Sequence, residues 1–177
     1  MIIGIISDTH DKLDIIDAAF EFFKSKNVSL VLHCGDWKSL ETIQYFAGLA
    51  AKNNMTVKGV LGNNDTEVSE ILQYSNSAPG NFDLKEGVLG LEIGVKKLAI
   101  YHGHHAPTLR RLKASKEYDF ICLGHTHKPK IETNGNTLLI NPGSTAFAIP
   151  RSREWKPTVV LLDIEKNAAT IQILPLY

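Results

Sequence analysis

All seven histidines of the chain stand at or just beyond the end of an apolar run: His10, His33, His102, His104, His105, His125 and His127. Surface histidines would be scattered. Segments far apart in sequence that each finish in histidine or aspartate point instead to one cluster, built where neighbouring strands end together. Imidazoles and carboxylates gathered in this way are what a transition-metal ion needs. Asp8 and His10 are two residues apart, as are His125 and His127. In extended backbone that spacing turns both side chains of a pair the same way, so each pair can share an ion. Asp36 follows Gly35 after a β-branched apolar run. The glycine lets the backbone turn sharply beside a ligand, and the carboxylate has two oxygens that can each hold a different ion. Asp36 is therefore expected to bridge two metals.

The same residues have simpler uses. Asp8 alone would serve as a helix N-cap, Gly62-Asn63-Asn64-Asp65 as a β-turn, and a single strand-end histidine as a satisfied structural residue. Repetition at several strand ends favours the metal. Trp37 is expected to pack rather than to shape a pocket. Arg110 and Arg111 are expected to be solvated; Arg151 and Arg153 lie in a loop from which they could reach a phosphate, although exposed loop arginines usually do nothing specific.

The elements that must position these residues alternate in the first half of the chain. Ile2 to Ile6, Val28 to Leu32 and Met55 to Leu61 read as buried strands. Between them, Leu13 to Lys26 and Ser39 to Lys52 carry apolar residues at helical spacing, with Ser39 as N-cap. This alternation predicts a parallel sheet with right-handed crossovers. A short helix over Thr66 to Tyr74 and a loop over Ser75 to Gly80 lead to closely spaced strands at Phe82 to Lys85, Val88 to Ile93 and Lys97 to Tyr101. A helix from Pro107 to Lys116 and a strand from Asp119 to Leu123 come next. A hairpin of Lys130 to Thr133 and Thr137 to Ile140 turns at Asn134-Gly135, and Asn141-Pro142-Gly143-Ser144 closes it tightly. Thr158 to Ile164 and Ala168 to Leu174 form a last hairpin. The second half is therefore expected to make an antiparallel second sheet.

With 177 residues, 44% of them hydrophobic, the chain fits one domain over 1–177. Formal net charge is zero and no block of one sign occurs, so no extended nucleic-acid groove is expected. No apolar run reaches the roughly 18 residues of a membrane helix and no signal peptide is evident, which predicts a cytoplasmic protein with no membrane partner. Cys34 and Cys122 lack paired ligand spacing and read as reduced, buried thiols. A homo-oligomer is compatible with the sequence.

Taken in order, Asp8-x-His10, Gly35-Asp36, Gly62-Asn63-Asn64-Asp65, His102 and Gly124-His125-x-His127 resemble the signature of the calcineurin-like metallophosphoesterases, across nearly the whole chain. The Ser-Asp-Thr-His opening, His33-Cys34-Gly35-Asp36 and Asn141-Pro142-Gly143-Ser144 are similar to its small single-domain branch of YfcE-type and MJ0936-type phosphodiesterases. The resemblance implies an α/β fold, a four-layer α/β/β/α sandwich of two mixed β-sheets flanked by helices. It implies one metal held by Asp8, His10, Asp36 and His127 and another held by Asp36, Asn63, His102 and His125. These mixed nitrogen and oxygen sites suit Mn first, with Fe, Ni, Co or Zn as alternatives, better than Mg or Ca. Two such divalent ions, about 3.5 to 4 Å apart, would supply a bridging hydroxide as nucleophile and clamp phosphate oxygens. Their charge would outweigh Asp8, Asp36 and the hydroxide, so the site would attract anions although the chain is neutral.

The implied function is a metal-dependent phosphodiesterase acting on a small phosphodiester, nucleotide-like substrates included. Asn64, Asp65 and His104 are the candidate catalytic residues. At Asn64 the chain departs from strongly active members, which have a histidine there that binds phosphate and protonates the leaving group. An amide donates hydrogen bonds but cannot act as a general acid near neutral pH. Poor leaving groups should therefore depart slowly unless His104 or a metal-bound water substitutes. The alternative is a scaffold that resembles the retromer subunit and binds a protein partner. Matching residues at all the implied ligand positions weigh against it.

Overall fold

A computed structural model of the chain describes residues 1–78, 81–146 and 156–175. β1 (Ile2–Ile6), β2 (Leu30–His33) and β3 (Thr56–Val60) are joined through α1 (Leu13–Ser25) and α2 (Leu40–Lys52). They lie side by side and parallel. Ser39 caps α2 as its composition predicts, its side chain accepting from the Thr42 N–H. α3 (Val68–Ser77) then returns the chain to β4 (Phe82–Lys85), which pairs in parallel with β3.

That pairing corrects the expected grouping of Phe82 to Lys85 with the second sheet. α3 is a crossover helix that runs three residues further at its end than expected. Ser75 near that end accepts from the Leu84 N–H, which ties the helix to the strand it delivers.

β5 (Leu89–Ile93) and β6 (Lys96–Tyr101) open the second sheet as a hairpin, followed by α4 (Ala106–Ser115) and β7 (Phe120–Leu123). β8 (Lys130–Asn134) and β9 (Thr137–Asn141) complete it in the order β5-β6-β7-β9-β8. The sheet is mixed rather than antiparallel, because β6, β7 and β9 run parallel. β10 (Thr158–Asp163) and β11 (Ala168–Ile173) return to the first sheet, whose order is β11-β10-β1-β2-β3-β4. Periodicity shows which face of a strand is buried and carries no mark of its partner's direction.

Three buried clusters separate four layers. α1, α2 and α3 cover one face of the first sheet through Phe20, Phe23, Ile43 and Phe46. The two sheets meet over Ile5, Leu32, Ile100, Phe120 and Ile140, with both cysteines buried as free thiols. α4 covers the outer face of the second sheet over Tyr101, Leu112 and Ile121. The α/β/β/α sandwich expected from the sequence is thus the observed architecture. Packing of this kind, at about 1.5–3 kcal/mol per fully buried large side chain, makes the two sheets a rigid base. The carboxyl ends of β1, β2, β3, β6 and β7 carry the polar loops that the sequence singled out. Among the described residues, no helix is long and apolar enough to cross a membrane.

Candidate metal centre

The loops at these strand ends have unusual backbones. Asp8, His10, Asp36, His125 and His127 all have positive φ, between 43° and 69°. L-residues avoid this region, although Asp and His tolerate it better than most. Each such residue costs on the order of 1 kcal/mol, and strain of this kind concentrates where side chains must be aimed at a site.

What the strained turns aim is a tight group of donors. One atom each of Asp8, His10, Asp36 and His127 can be chosen so that all lie within 4.8 Å of one another. His127 Nε2 is 3.1 Å from Asp8 Oδ1, and His10 Nε2 is 3.7 Å from Asp36 Oδ2 and 3.4 Å from His127 Nε2. Asp8 is fully buried, and its Oδ2 accepts from the Ser7 hydroxyl (2.5 Å) and the His125 N–H (3.1 Å). Its Oδ1 has no hydrogen-bond partner, alone among the buried side-chain N and O atoms of the described residues. A buried carboxylate oxygen left so is costly, and a cation in the middle of this group would satisfy it. The donor set therefore fits a metal ion.

A second group meets the other oxygen of Asp36. His102 Nε2 lies 3.3 Å from Asp36 Oδ1 and 3.2 Å from Asn63 Oδ1. The opposite ring nitrogen of His102 donates to the Cys34 carbonyl at 2.8 Å. That bond leaves Nε2 as the free ligand atom, the usual way a metal-binding histidine is oriented. The His125 ring stands 5.1 Å from that of His102, centroid to centroid. All seven expected ligand residues are thus brought to one place, and Asp36 sits between their two halves.

Electrostatics follow from this crowding. Burial pushes the Asp36 carboxyl up, but His102 and two hydrogen bonds from Asn64 hold it well below the usual carboxylate range. Burial likewise pulls His102 down, and its bond to Asp36 with the charges of Asp36 and Asp8 outweighs that and raises it. The adjacent Asp8 carboxylate raises His127 against burial. His10 is lowered, chiefly by burial.

The three candidate catalytic residues separate. Asn64 is exposed at the rim, yet its N–H donates to Asp36 Oδ1 (2.9 Å) and its side-chain amide to Asp36 Oδ2 (2.7 Å), a two-point clamp on the central carboxylate. Asp65 turns away from the donors. Its oxygens accept from the N–H groups of Gly62 (2.6 Å), Lys38 (2.6 Å) and Asp36 (3.2 Å), so it joins two loops. His104 is exposed, its ring 5.6 Å from His102 and 6.4 Å from His125. Burial and those two imidazoles lower its pKa.

Two histidines do not join the cluster. His33 is fully buried and stacked on Trp37 at 3.4 Å, with Nδ1 accepting from the Gly35 N–H. Burial pushes it well below the ordinary histidine range, so it is a neutral prop under the Asp36 loop. Trp37 packs as expected, its indole N–H bonded to the Val60 carbonyl. His105 caps α4 and contacts Thr108. Asp8 caps no helix, since Lys12 precedes α1. Arg151 and Arg153, considered above for a phosphate, lie outside the described residues.

Sequence reasoning left Asn141 and Ser144 as turn residues. Asn141 Nδ2 donates to the Gly124 carbonyl (2.7 Å), and the Ser144 hydroxyl to the Asp8 carbonyl (3.0 Å). The Asn-Pro-Gly-Ser turn therefore braces both histidine-bearing loops. Its signal was the unusual run of turn formers directly after an apolar strand.

This geometry has relatives. Residues 1–167 match the model of the calcineurin-like phosphoesterase superfamily domain. The phosphodiesterase MJ0936 of Methanocaldococcus jannaschii is 36% identical over 167 residues, 94% of this chain and 95% of that one. Phosphodiesterase YfcE of Escherichia coli is 28% identical over 152 residues, 80% of this chain and 77% of its own. Among solved structures, an archaeal phosphodiesterase has a TM-score of 0.85 at 35% identity, covering 98% of this chain and all of the other. Zinc-complexed Vps29 of Entamoeba histolytica, at 18% identity and TM-score 0.65 over the full length of both chains, shares the fold. A domain match over almost the whole chain, and a relative more than a third identical from end to end, agree with the strand-end donors in one conclusion: the chain belongs to the calcineurin-like phosphoesterase superfamily, in its small phosphodiesterase branch.

Proposed function

We propose that this chain is a metal-dependent phosphodiesterase that hydrolyses a small phosphodiester at a dinuclear centre. The observation that carries the reading is Asp36, whose Oδ2 faces His10 while its Oδ1 faces His102, the ring that also meets Asn63. Asp8, His10, Asp36 and His127 would hold one ion, and Asp36, Asn63, His102 and His125 the other. Mn is the preferred ion, with Fe, Ni, Co or Zn as alternatives. When bound, two divalent ions lower the pKa of water to give a nucleophile at neutral pH and neutralise phosphate charge.

The chain's own residues do the rest. Asn64 holds both oxygens of Asp36 in place, and Asp65 fixes the loop between Asp36 and Lys38 against Gly62. His104, exposed at the rim and with its pKa lowered, is the imidazole placed to exchange a proton with a leaving group. The substrates favoured are diesters with acidic leaving groups.

The test is hydrolysis of bis(p-nitrophenyl) phosphate by metal-stripped protein as Mn²⁺ is added, beside p-nitrophenyl phosphate and an Asp36→Asn control. Diester turnover that needs both metal and Asp36 is expected. Metal binding without cleavage of either ester, under each candidate ion, would overturn the enzyme reading in favour of a scaffold.

A further inference from the structure

A cavity of approximately 270 Å³ lies beside the metal centre at the flank of α4. Its floor is apolar, made by Leu109 of α4 with Leu123, Leu139 and Ile140 of β7 and β9. Its rim carries Lys113, Lys128, Lys130 and Glu132, an excess of positive charge. Glu132 pairs with Lys113 (3.8 Å) and with Lys130, while Lys128 makes no ion pair among the described residues. Gly103, Gly124 and Thr126 form the wall toward the site. These residues alternate with the imidazoles of the cluster: His102 and His104 flank Gly103, and His125 and His127 flank Thr126. One loop is therefore shared, with His125 and His127 serving the metal centre and Thr126 and Lys128 lining the cavity. Asn141 ties the two together, donating to the Gly124 carbonyl and to the Thr126 hydroxyl (3.2 Å).

We propose that this cavity binds a small anion with a flat apolar body, in class an aromatic acid, and that its occupancy is coupled to the metal centre through the shared loop. The volume lies just below the roughly 300–1,000 Å³ range of small-molecule sites, which suits one or two fused rings. The floor offers apolar area, and the lysine rim selects the negative charge and orients it. His125 and His127 already sit in left-handed backbone, so the loop has few alternative conformations and contact on one side is felt on the other. Such coupling is reciprocal: the anion and the metal change each other's affinity by the same factor. The coupling rests on the metal-centre reading, whereas binding to the cavity does not.

The probe is 8-anilinonaphthalene-1-sulfonate, titrated into the full-length, metal-free protein by fluorescence and calorimetry. One saturable site per chain is expected, lost in Leu109→Trp, which fills the cavity. Lys128→Glu, an exposed change that leaves the core intact, should weaken binding roughly fivefold, and Glu132→Gln should tighten it. Absence of a saturable site, or affinity unmoved by Lys128→Glu, would overturn the proposal. Loss of dye binding that tracks dimerisation on concentration would assign the cavity to a second copy of the chain and overturn it as well. Repeating the titration with saturating Mn²⁺ should shift dye affinity at least about twofold; an unchanged value removes the coupling. Calorimetry with Mn²⁺ alone separates the two readings, since failure of the metal to bind would sink the coupling and leave the metal-free dye result to judge the cavity.

Discussion

At the residue scale, the centre depends on how one carboxylate is held. Asn64 clamps both oxygens of Asp36, so Asn64→Ala should weaken Mn²⁺ binding by about tenfold, the usual loss when the hydrogen-bond partner of a ligand is removed. Calorimetry would check this, and unchanged affinity would show the clamp to be incidental. Asn64→His restores an imidazole at the same place and should raise turnover of alkyl esters relative to p-nitrophenyl esters. Protons compete with metal here. His102 and His127 have raised pKa values in the metal-free protein, so their contribution to stability is full below the unfolded histidine value, about 6.5, and is lost as pH rises through the folded values. Metal needs both rings neutral. The gain in Tm on adding Mn²⁺ should therefore grow as pH rises above about 6.5, the ordinary histidine value; a gain independent of pH would exclude these two rings as the competing groups.

The element scale explains why the donors meet. A Cβ at Gly62 would collide with the Asp36 carboxylate and come within 2.6 Å of its N–H nitrogen, so the β3 and β2 loops can approach only through a glycine. Gly62→Ala should abolish diester hydrolysis and metal binding while the far-ultraviolet circular dichroism stays native; full activity would show that the loops have slack. Asp65 joins the same two loops through three backbone amides. Asp65→Ala leaves those amides unpaired and should lower stability by about 1–3 kcal/mol in a denaturant melt, with metal affinity falling alongside. Stability lost without any change in metal affinity would confine Asp65 to the fold.

For the whole molecule, two sheets supply opposite halves of one centre. Asp8, His10, Asp36 and Asn63 come from the first sheet, and His102, His125 and His127 from the second. An ion that binds both halves staples the sandwich together at its open end. Mn²⁺ at a free concentration of a hundred times its Kd should add about 2.7 kcal/mol per site, seen as a raised Tm that chelation reverses. A Tm indifferent to chelator would show that the sheets are held fully by their own packing.

The sequence by itself determined the positions of most strands and helices, the capping of α2 by Ser39 and which residues gather at the strand ends. These are local matters: apolar periodicity, turn formers and residue spacing are written in short stretches of chain. Even the central place of Asp36, with one oxygen toward His10 and the other toward His102, was legible, because glycine before a carboxylate at a strand end is a local pattern. Tertiary structure alone decided that Phe82–Lys85 joins β3 in parallel, that β6, β7 and β9 run the same way, and that the last hairpin lies beside β1. It also decided that His33 faces Trp37 while His102 faces Asp36, that Asp65 serves backbone amides, and that Asn141 and Ser144 brace loops far from them in sequence. Each of these is a pairing across the sandwich. The backbone bonds of a strand leave no trace in its side chains, and a histidine at a strand end has the same composition whether it turns inward to a ring or outward to an ion.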